Sequence, residues 1–206
     1  MNELKNLRFV CTRCGNCCTD KDTLVNLTYL DILKIKNGLK LDIKEVLDLL
    51  GFYIYDKEVT VDDKKRMVIA PIETEKGLAF VALRKNSLGG CYFYNSEEKR
   101  CLIYNLRPMF CRTFPFTFSL SEENDIQRKD NLKIFLTEKG KKYCPGISKD
   151  SPLINIKKWI KLGQSTLKEL EKNHILTKNW NDKVEKGKIL PTAKKYILSI
   201  FKLESP

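Results

Sequence analysis

Cys11-Thr12-Arg13-Cys14-Gly15-Asn16-Cys17-Cys18 places four thiols within eight residues. Cys11, Cys14 and Cys17 recur at every third position, and Cys18 follows directly. A two-residue spacer lets the chain curl until neighbouring sulfurs face one centre, which is the spacing of zinc knuckles and iron–sulfur loops. Gly15 takes a positive φ at little cost, so the backbone can wrap a metal closely. Side chains of consecutive residues diverge, so Cys17 and Cys18 suit different metal centres. A buried thiol cluster or a disulfide staple is the plainer alternative. Thiols this dense are reactive, however, and are seldom kept for packing alone.

Working outward, the remaining four cysteines complete one pattern. Nine residues separate Cys91 from Cys101, nine separate Cys101 from Cys111, and 32 separate Cys111 from Cys144. Eight thiolates allow two four-sulfur sites, or one such site and a looser second one. All-thiolate coordination fits Zn2+ or an iron–sulfur cluster, and spacing alone separates these poorly. The close loop, its cations and the aromatic residues Phe9, Phe93, Tyr104, Phe110 and Phe114 favour a [4Fe-4S] cluster, one or two per chain. Such clusters depend on exclusion of water and on hydrogen bonds to sulfur. Arg8, Arg13, Arg107 and Arg112 are candidates to offset the negative charge of the sulfur cage, with ordinary surface pairing as the alternative for each.

The 206-residue chain is long enough for one sizeable core with a small appendage. No apolar run approaches the ~20 residues needed to span a bilayer. Met1–Val10 lacks an apolar signal core, so a cytoplasmic protein is expected, in a compartment that keeps thiols reduced. Net charge is +12, and residues 121–206 alone carry 19 Lys+Arg against 11 Asp+Glu. A basic surface attracts nucleic acid, acidic proteins or anionic membrane, although lysines scattered along helices read first as a solvated face. The single histidine, His174, lies in a polar stretch and excludes a multi-histidine centre or a His-based triad by count.

The patterning predicts an α+β fold: a small antiparallel sheet and short helices around the cysteine-rich site. Leu24–Leu27 reads as extended. Thr28 caps a helix ending near Gly38, with Asp31 as its capping-box partner. Asp42 caps a second helix through Val46, Leu47 and Leu50, ending at Gly51. Strands are expected over 52–55, 66–70 and 78–83, a hairpin-like loop between Cys91 and Cys101, and a helix opening at Pro108 that carries Cys111. Strands at 117–120 and 132–136 flank a polar loop at 121–131, and Cys144-Pro145-Gly146 forms a turn. Helices are expected from Pro152 to about Glu171, with Ile156, Trp159, Ile160, Leu167 and Leu170 as its core stripe, and over 191–203. Residues 1–150 form the metal-binding domain in this reading, and 151–206 a Lys-rich helical extension packed on it.

Cys11–Cys18, Leu27-Thr28 with Asp31-Ile32, the run from Cys101 to Pro115 (Cys-Leu-Ile-Tyr-Asn-Leu-Arg-Pro-Met-Phe-Cys-Arg-Thr-Phe-Pro) and Cys144-Pro145-Gly146 together resemble the YkgJ-type cysteine-cluster proteins, the CxxCxxCC family of zinc- or iron-chelating domains. The resemblance covers about residues 8 to 147. It implies that all eight cysteines, Cys11, Cys14, Cys17, Cys18, Cys91, Cys101, Cys111 and Cys144, serve the metal, with Arg13, Arg107 and Arg112 around them. A relative in that family, the flagellin lysine N-methylase, shares the cysteine cluster, so a protein-lysine methyltransferase role is one implication. The chain carries no GxGxxG loop, and CxxCxxCC differs from the CxxxCxxC of radical S-adenosylmethionine enzymes.

Four functions are therefore in play: an iron–sulfur protein in a redox, sensing or modification role, a structural zinc interaction module, a methyltransferase, and a nucleic-acid binder using the basic tail. A protein partner or substrate is expected in the first three. Under the first, Cys11→Ser or Cys111→Ser should lower bound iron and the melting temperature together, because metal binding and folding are coupled in such loops. A lysine replaced within 157–195 should leave metal content unchanged. Metal analysis and thermal melts check both, and full metal with a normal melt in the cysteine variants would refute the metal reading.

Overall fold

The computed structural model describes residues 6–55, 60, 67–120 and 132–204. Helices interleave with three short antiparallel sheets, so the fold is α+β with a helical C-terminal region. Among the described residues no helix is long and apolar enough to cross a membrane.

A one-turn helix α1 (Asn16–Thr19) lies inside the cysteine loop. Helix α2 (Tyr29–Leu39) begins as expected at Thr28, and both halves of the capping box with Asp31 are made. Helix α3 (Ile43–Leu49) opens with the same device, Asp42 and Glu45. It stops before Leu50, which the periodicity had placed on the helix. Leu50 instead starts strand β1 (Leu50–Ile54), opposite Leu83. Cross-strand pairing outweighs the helical pattern there.

Strands β2 (Ile72–Thr74) and β3 (Gly77–Leu83) form a tight hairpin, and the sheet order is β1-β3-β2. The strand expected at 66–70 is a correction. Arg66 lies outside the described residues, and Met67–Ala70 pair with nothing as a strand, bending at Val68 and Ile69. Pro71 has no N–H to give a ladder, so pairing begins after it, in a register set by the turn before Gly77. Val25–Leu27 runs along β3 beyond β2, with Leu27 N donating to Val81 O at 2.9 Å and Leu83 N to Val25 O at 3.0 Å.

The hairpin β4 (Tyr94–Asn95) and β5 (Arg100–Cys101) joins Cys91 to Cys101 as expected. Helix α4 (Met109–Thr113) follows, with Pro108 as its cap. Strands β6 (Phe116–Leu120) and β7 (Leu132–Leu136) pair antiparallel. The loop expected at 121–131 lies outside the described residues. Helix α5 (Glu138–Tyr143) was not legible from its lysines and glycine. The Thr137 side chain caps it, and it ends at Cys144.

Helix α6 spans Ile156–Glu185, 30 residues, well past the expected end near Glu171. Its fully buried residues are Gly163, Thr166, Glu169, Asn173, Thr177 and Trp180, while Ile156, Trp159, Ile160 and Leu167 of the expected apolar stripe pack, partly buried, against Phe116, Leu132, Ile134 and Ile154. Each polar member with a recorded partner meets a complementary group. Thr28 Oγ1 donates to Glu169, and Tyr29 N donates to Asn173 Oδ1 at 3.0 Å. Further along, Trp180 Nε1 donates to Glu73 O at 2.9 Å, Glu73 N donates to Asn181 Oδ1 at 2.8 Å, and Asn181 Nδ2 donates to Pro71 O at 3.1 Å. These bonds cover the open edge of β2. Helix α7 (Ala193–Phe201) closes the chain.

Two apolar cores result. The larger gathers Ile32, Ile35, Val46, Val81 and Leu83 with Trp180, Tyr196, Ile197 and Ile200 of the last two helices. The smaller packs Phe116, Leu132, Ile134 and Ile154 against Phe9, Trp159 and Ile160.

One carboxylate links three helices. Asp31, only 1% exposed, accepts Thr28 N at 3.2 Å and Met109 N at 2.8 Å. Arg112 lies 3.7 Å from it and 3.4 Å from Glu169 of α6. Burial raises the Asp31 pKa from 3.8 to about 6, helped by the Glu169 charge and opposed by the two amides and Arg112. With the folded pKa above the unfolded value, the stability contributed by this group is full below pH 3.8 and lost as pH rises through about 6. The stability of the native chain relative to Asp31→Asn should therefore fall between pH 4 and 6.5, by up to about 3 kcal/mol. Denaturation curves across that range test this, and a difference independent of pH would contradict it.

Candidate metal centre

All eight cysteines line one cavity of about 380 Å3. Four distant stretches of chain meet there, and backbone hydrogen bonds bring them together. Residues 7–10 run antiparallel to 146–154: Phe9 N donates to Pro152 O at 3.0 Å, Val10 N to Gly146 O at 3.1 Å, and Ile154 N to Leu7 O at 3.0 Å. This pairing delivers Cys11 beside the turn at Cys144. A Cβ on Gly146 would lie 2.2 Å from Val10 O, so only glycine permits the approach.

The loop itself is held at Gly15. Its φ of +84 starts α1, and its carbonyl accepts Cys18 N at 2.8 Å and Thr19 N at 3.0 Å. The Tyr94 ring lies against Gly15, and an added Cβ would meet its hydroxyl oxygen at 2.1 Å. Asn16 Nδ2 donates to Tyr143 O at 3.0 Å, tying the loop to the end of α5. Cys91 N donates to Cys18 O at 2.7 Å, and Tyr94 N donates to Cys91 O at 3.0 Å. Tyr94 pairs in turn with Cys101. Cys111 is placed by α4, whose first amide is the one Asp31 holds.

The thiols are unpaired. Cys11, Cys14 and Cys17 are exposed, and the other five are half-buried. Burial pushes up the pKa values of Cys91, Cys101, Cys111 and Cys144. Cys17 is drawn down to about 7, chiefly by a hydrogen bond from Cys18, whose own thiol is pushed up by the same contact. Their sulfurs are 4.0 Å apart. A metal holds its thiol ligands as thiolates, so a cation set here displaces protons from the buried members.

Arg13 and Arg107 both belong to the cavity wall, and their guanidinium carbons lie 4.3 and 3.8 Å from the Tyr104 ring centroid. Arg107 Nε also donates to Tyr104 O at 3.0 Å. Arg112 is directed to Asp31 and Glu169, and Arg8 to Ser151 O, so neither lines the cavity. Of the aromatic residues singled out from the sequence, Phe9, Tyr104 and Phe114 reach the wall, while Phe93 is buried in the larger core. Arg100, Tyr94 and Tyr143 line it without having been anticipated. Tyr143 directly precedes a cysteine and Tyr94 stands three residues after one, which is the signal that could have found them. The Tyr143 hydroxyl donates to Asp20 Oδ2 at 2.9 Å, and Lys139 pairs with the same oxygen at 2.6 Å. Lys139 holds the Asp20 carboxyl well below the usual range, and burial with the Asp20 contact lifts Tyr143 to about 12.

The sulfurs ring the cavity rather than crowd its centre. Among the described residues no three Cys, His, Asp or Glu side chains form a group that could hold a single ion as they stand. A tetrahedral zinc needs four sulfurs at about 2.3 Å, hence about 3.8 Å from one another. The donor set is all thiolate, soft and eightfold, which suits zinc and iron–sulfur chemistry and disfavours calcium or magnesium.

A family model named CxxCxxCC and described as "Putative zinc- or iron-chelating domain" matches residues 10–145. That span begins one residue before Cys11 and ends one after Cys144. An uncharacterized protein of Methanocaldococcus jannaschii is 29% identical over 114 residues, covering 55% of this chain and 48% of the relative. The chain thus spans about half the length of this curated relative. No solved structure matches.

The Gly15 geometry yields a compensation test. Gly15→Ala should destabilise the protein by more than the about 1–2 kcal/mol of a left-handed alanine, because Tyr94 must also move. Tyr94→Ala in the same chain should restore part of the stability but not the left-handed cost. Chemical denaturation of the two variants and the native chain measures both steps, and no recovery in the double variant would refute the contact.

Proposed function

The chain belongs to the CxxCxxCC family of zinc- or iron-chelating domains, and on that premise we propose that it is an iron–sulfur protein whose clusters, of the [4Fe-4S] type, are held by cysteine thiolates alone. The observation that carries this is the ring of eight free thiols around one cavity of about 380 Å3, with no three donors among the described residues grouped to hold one ion. A single ion needs donors that converge. A cluster spreads its irons outward to meet sulfurs that stand apart.

When bound, such a cluster supplies reversible electron exchange at a potential set by its surroundings. The protein's own groups do the rest. Phe9, Ile103, Tyr104 and Phe114 form an apolar wall that excludes water. Arg13 and Arg107, steered by Tyr104, offset the negative charge of the thiolates. If cysteine capped every iron, no coordination position would be left for substrate, which would favour electron transfer or redox sensing over Lewis-acid catalysis. The exposed side carrying Cys11, Cys14 and Cys17 is where a protein partner would exchange electrons. Free thiols in this number suit a reducing compartment such as the cytoplasm.

A structural zinc module is the second reading, favoured by one distance: the 4.0 Å between the Cys17 and Cys18 sulfurs is close to that of neighbouring ligands on zinc. Anaerobic purification followed by an absorption spectrum, with iron, sulfide and zinc counted per chain, separates the two. Brown protein with broad absorbance near about 400 nm and matching iron and sulfide is expected. Colourless protein carrying zinc would overturn the iron–sulfur reading.

A further inference from the structure

Resting on that reading, we propose that the eight cysteines divide into two four-thiolate centres side by side in one cavity: Cys11, Cys14, Cys17 and Cys144 form one, and Cys18, Cys91, Cys101 and Cys111 form the other. The cut falls between two consecutive residues.

The first set is assembled by the ends of the matched region. Val10 is bonded to Gly146, and Asn16 to Tyr143, so the chain around Cys144 is fastened on one side next to Cys11 and on the other between Cys14 and Cys17. The second set is assembled by the middle of the chain. Cys91 is bonded through its amide to Cys18, Tyr94 is bonded to Cys91, and Tyr94 stands opposite Cys101. Helix α4 brings Cys111 to the wall of the same cavity, beside Ile103, Tyr104 and Arg107.

The two sets meet at Cys17 and Cys18. Cys17 and Cys18 are successive positions on α1, and successive helical positions point about 100° apart. One therefore faces the Cys144 side and the other the Cys91 side. The amide of Cys91 on its own carbonyl assigns Cys18 to the second set. Cys17 then completes the first, giving each centre the four thiolates an all-cysteine cluster takes. The 4.0 Å between the two sulfurs makes the centres immediate neighbours. Tyr94 stands at the seam: its ring lies on Gly15 of the loop, and its amide donates to Cys91 O.

Pairs of substitutions read the division directly. Cys144→Ser alone and Cys101→Ser alone should each remove about half of the bound iron. Cys14→Ser with Cys144→Ser, within one set, should remove no more than either alone. Cys144→Ser with Cys101→Ser, across the sets, should remove nearly all of it. A within-set pair as damaging as the cross-set pair would overturn the division. If cysteine loss prevents folding, the native protein still decides: about eight irons and a reduced EPR signal broadened by a neighbouring spin are expected, and about four irons with an isolated signal would refute two centres. Were the native chain to carry zinc instead, the iron–sulfur reading would fail by itself. The within-set pair counted for zinc would still support the division by halving, or overturn it by total loss.

Discussion

The buried carboxylate of Asp31 ties together three separate helices of this molecule. It completes the capping box of its own helix, accepts the first amide of the helix that carries Cys111, and shares Arg112 with Glu169 of the long C-terminal helix. A charge this deep is costly unless paired and hydrogen-bonded. Here each carboxylate oxygen has an amide, and the guanidinium supplies the opposite charge. Removing one partner would strand the others, which is why such networks are lost together rather than piecemeal. The network has a functional consequence: it fixes the orientation of Cys111 from outside the cavity, using no group that a metal would need.

The cavity rests on the same logic at the level of the backbone. Its cysteines come from an N-terminal loop, a β-hairpin, a short helix and the end of another helix. Side-chain packing alone would leave such segments loose. Main-chain bonds between Val10 and Gly146, and between Cys91 and Cys18, set them in register. Glycine at 146 and at 15 lets other groups come close where any Cβ would collide. Metal binding and folding then share one free energy, since the metal closes the same gap these bonds define. The cavity also lies between two cores: Leu83 and Ile103 come to its wall from the larger one and Phe9 from the smaller.

The C-terminal helices illustrate how polar residues can be structural. Thr166, Glu169, Asn173 and Thr177 are buried on one face of α6. Those with recorded partners meet the start of α2, and the next turn closes the edge of the sheet through Trp180 and Asn181. Hydrogen bonds at defined angles give this contact a single register, which an apolar stripe would specify less sharply. Trp180 and Tyr196, stacked edge to face at 5.2 Å, then carry the helices into the larger core.

Much was readable from the chain alone because it is local. The caps at Thr28 and Asp42 need only residues three positions apart. The density of thiols from Cys11 to Cys18 and the even spacing of Cys91, Cys101 and Cys111 point to metal whatever the fold. What depends on distant partners was not readable. Arg112 looked equivalent to Arg107, yet a buried acid pair claims it while Tyr104 steers Arg107 to the cavity. The run before Pro71 looked like a strand, but a missing N–H and a tight turn moved the pairing past it. Residues 172–185 looked too polar for a buried helix, because the groups that satisfy them are more than one hundred residues away. The sequence by itself named the candidate donors, since thiolate chemistry is a property of single residues. Only the tertiary structure decided which of those thiols face one another, because that follows from hydrogen bonds between segments far apart in the chain.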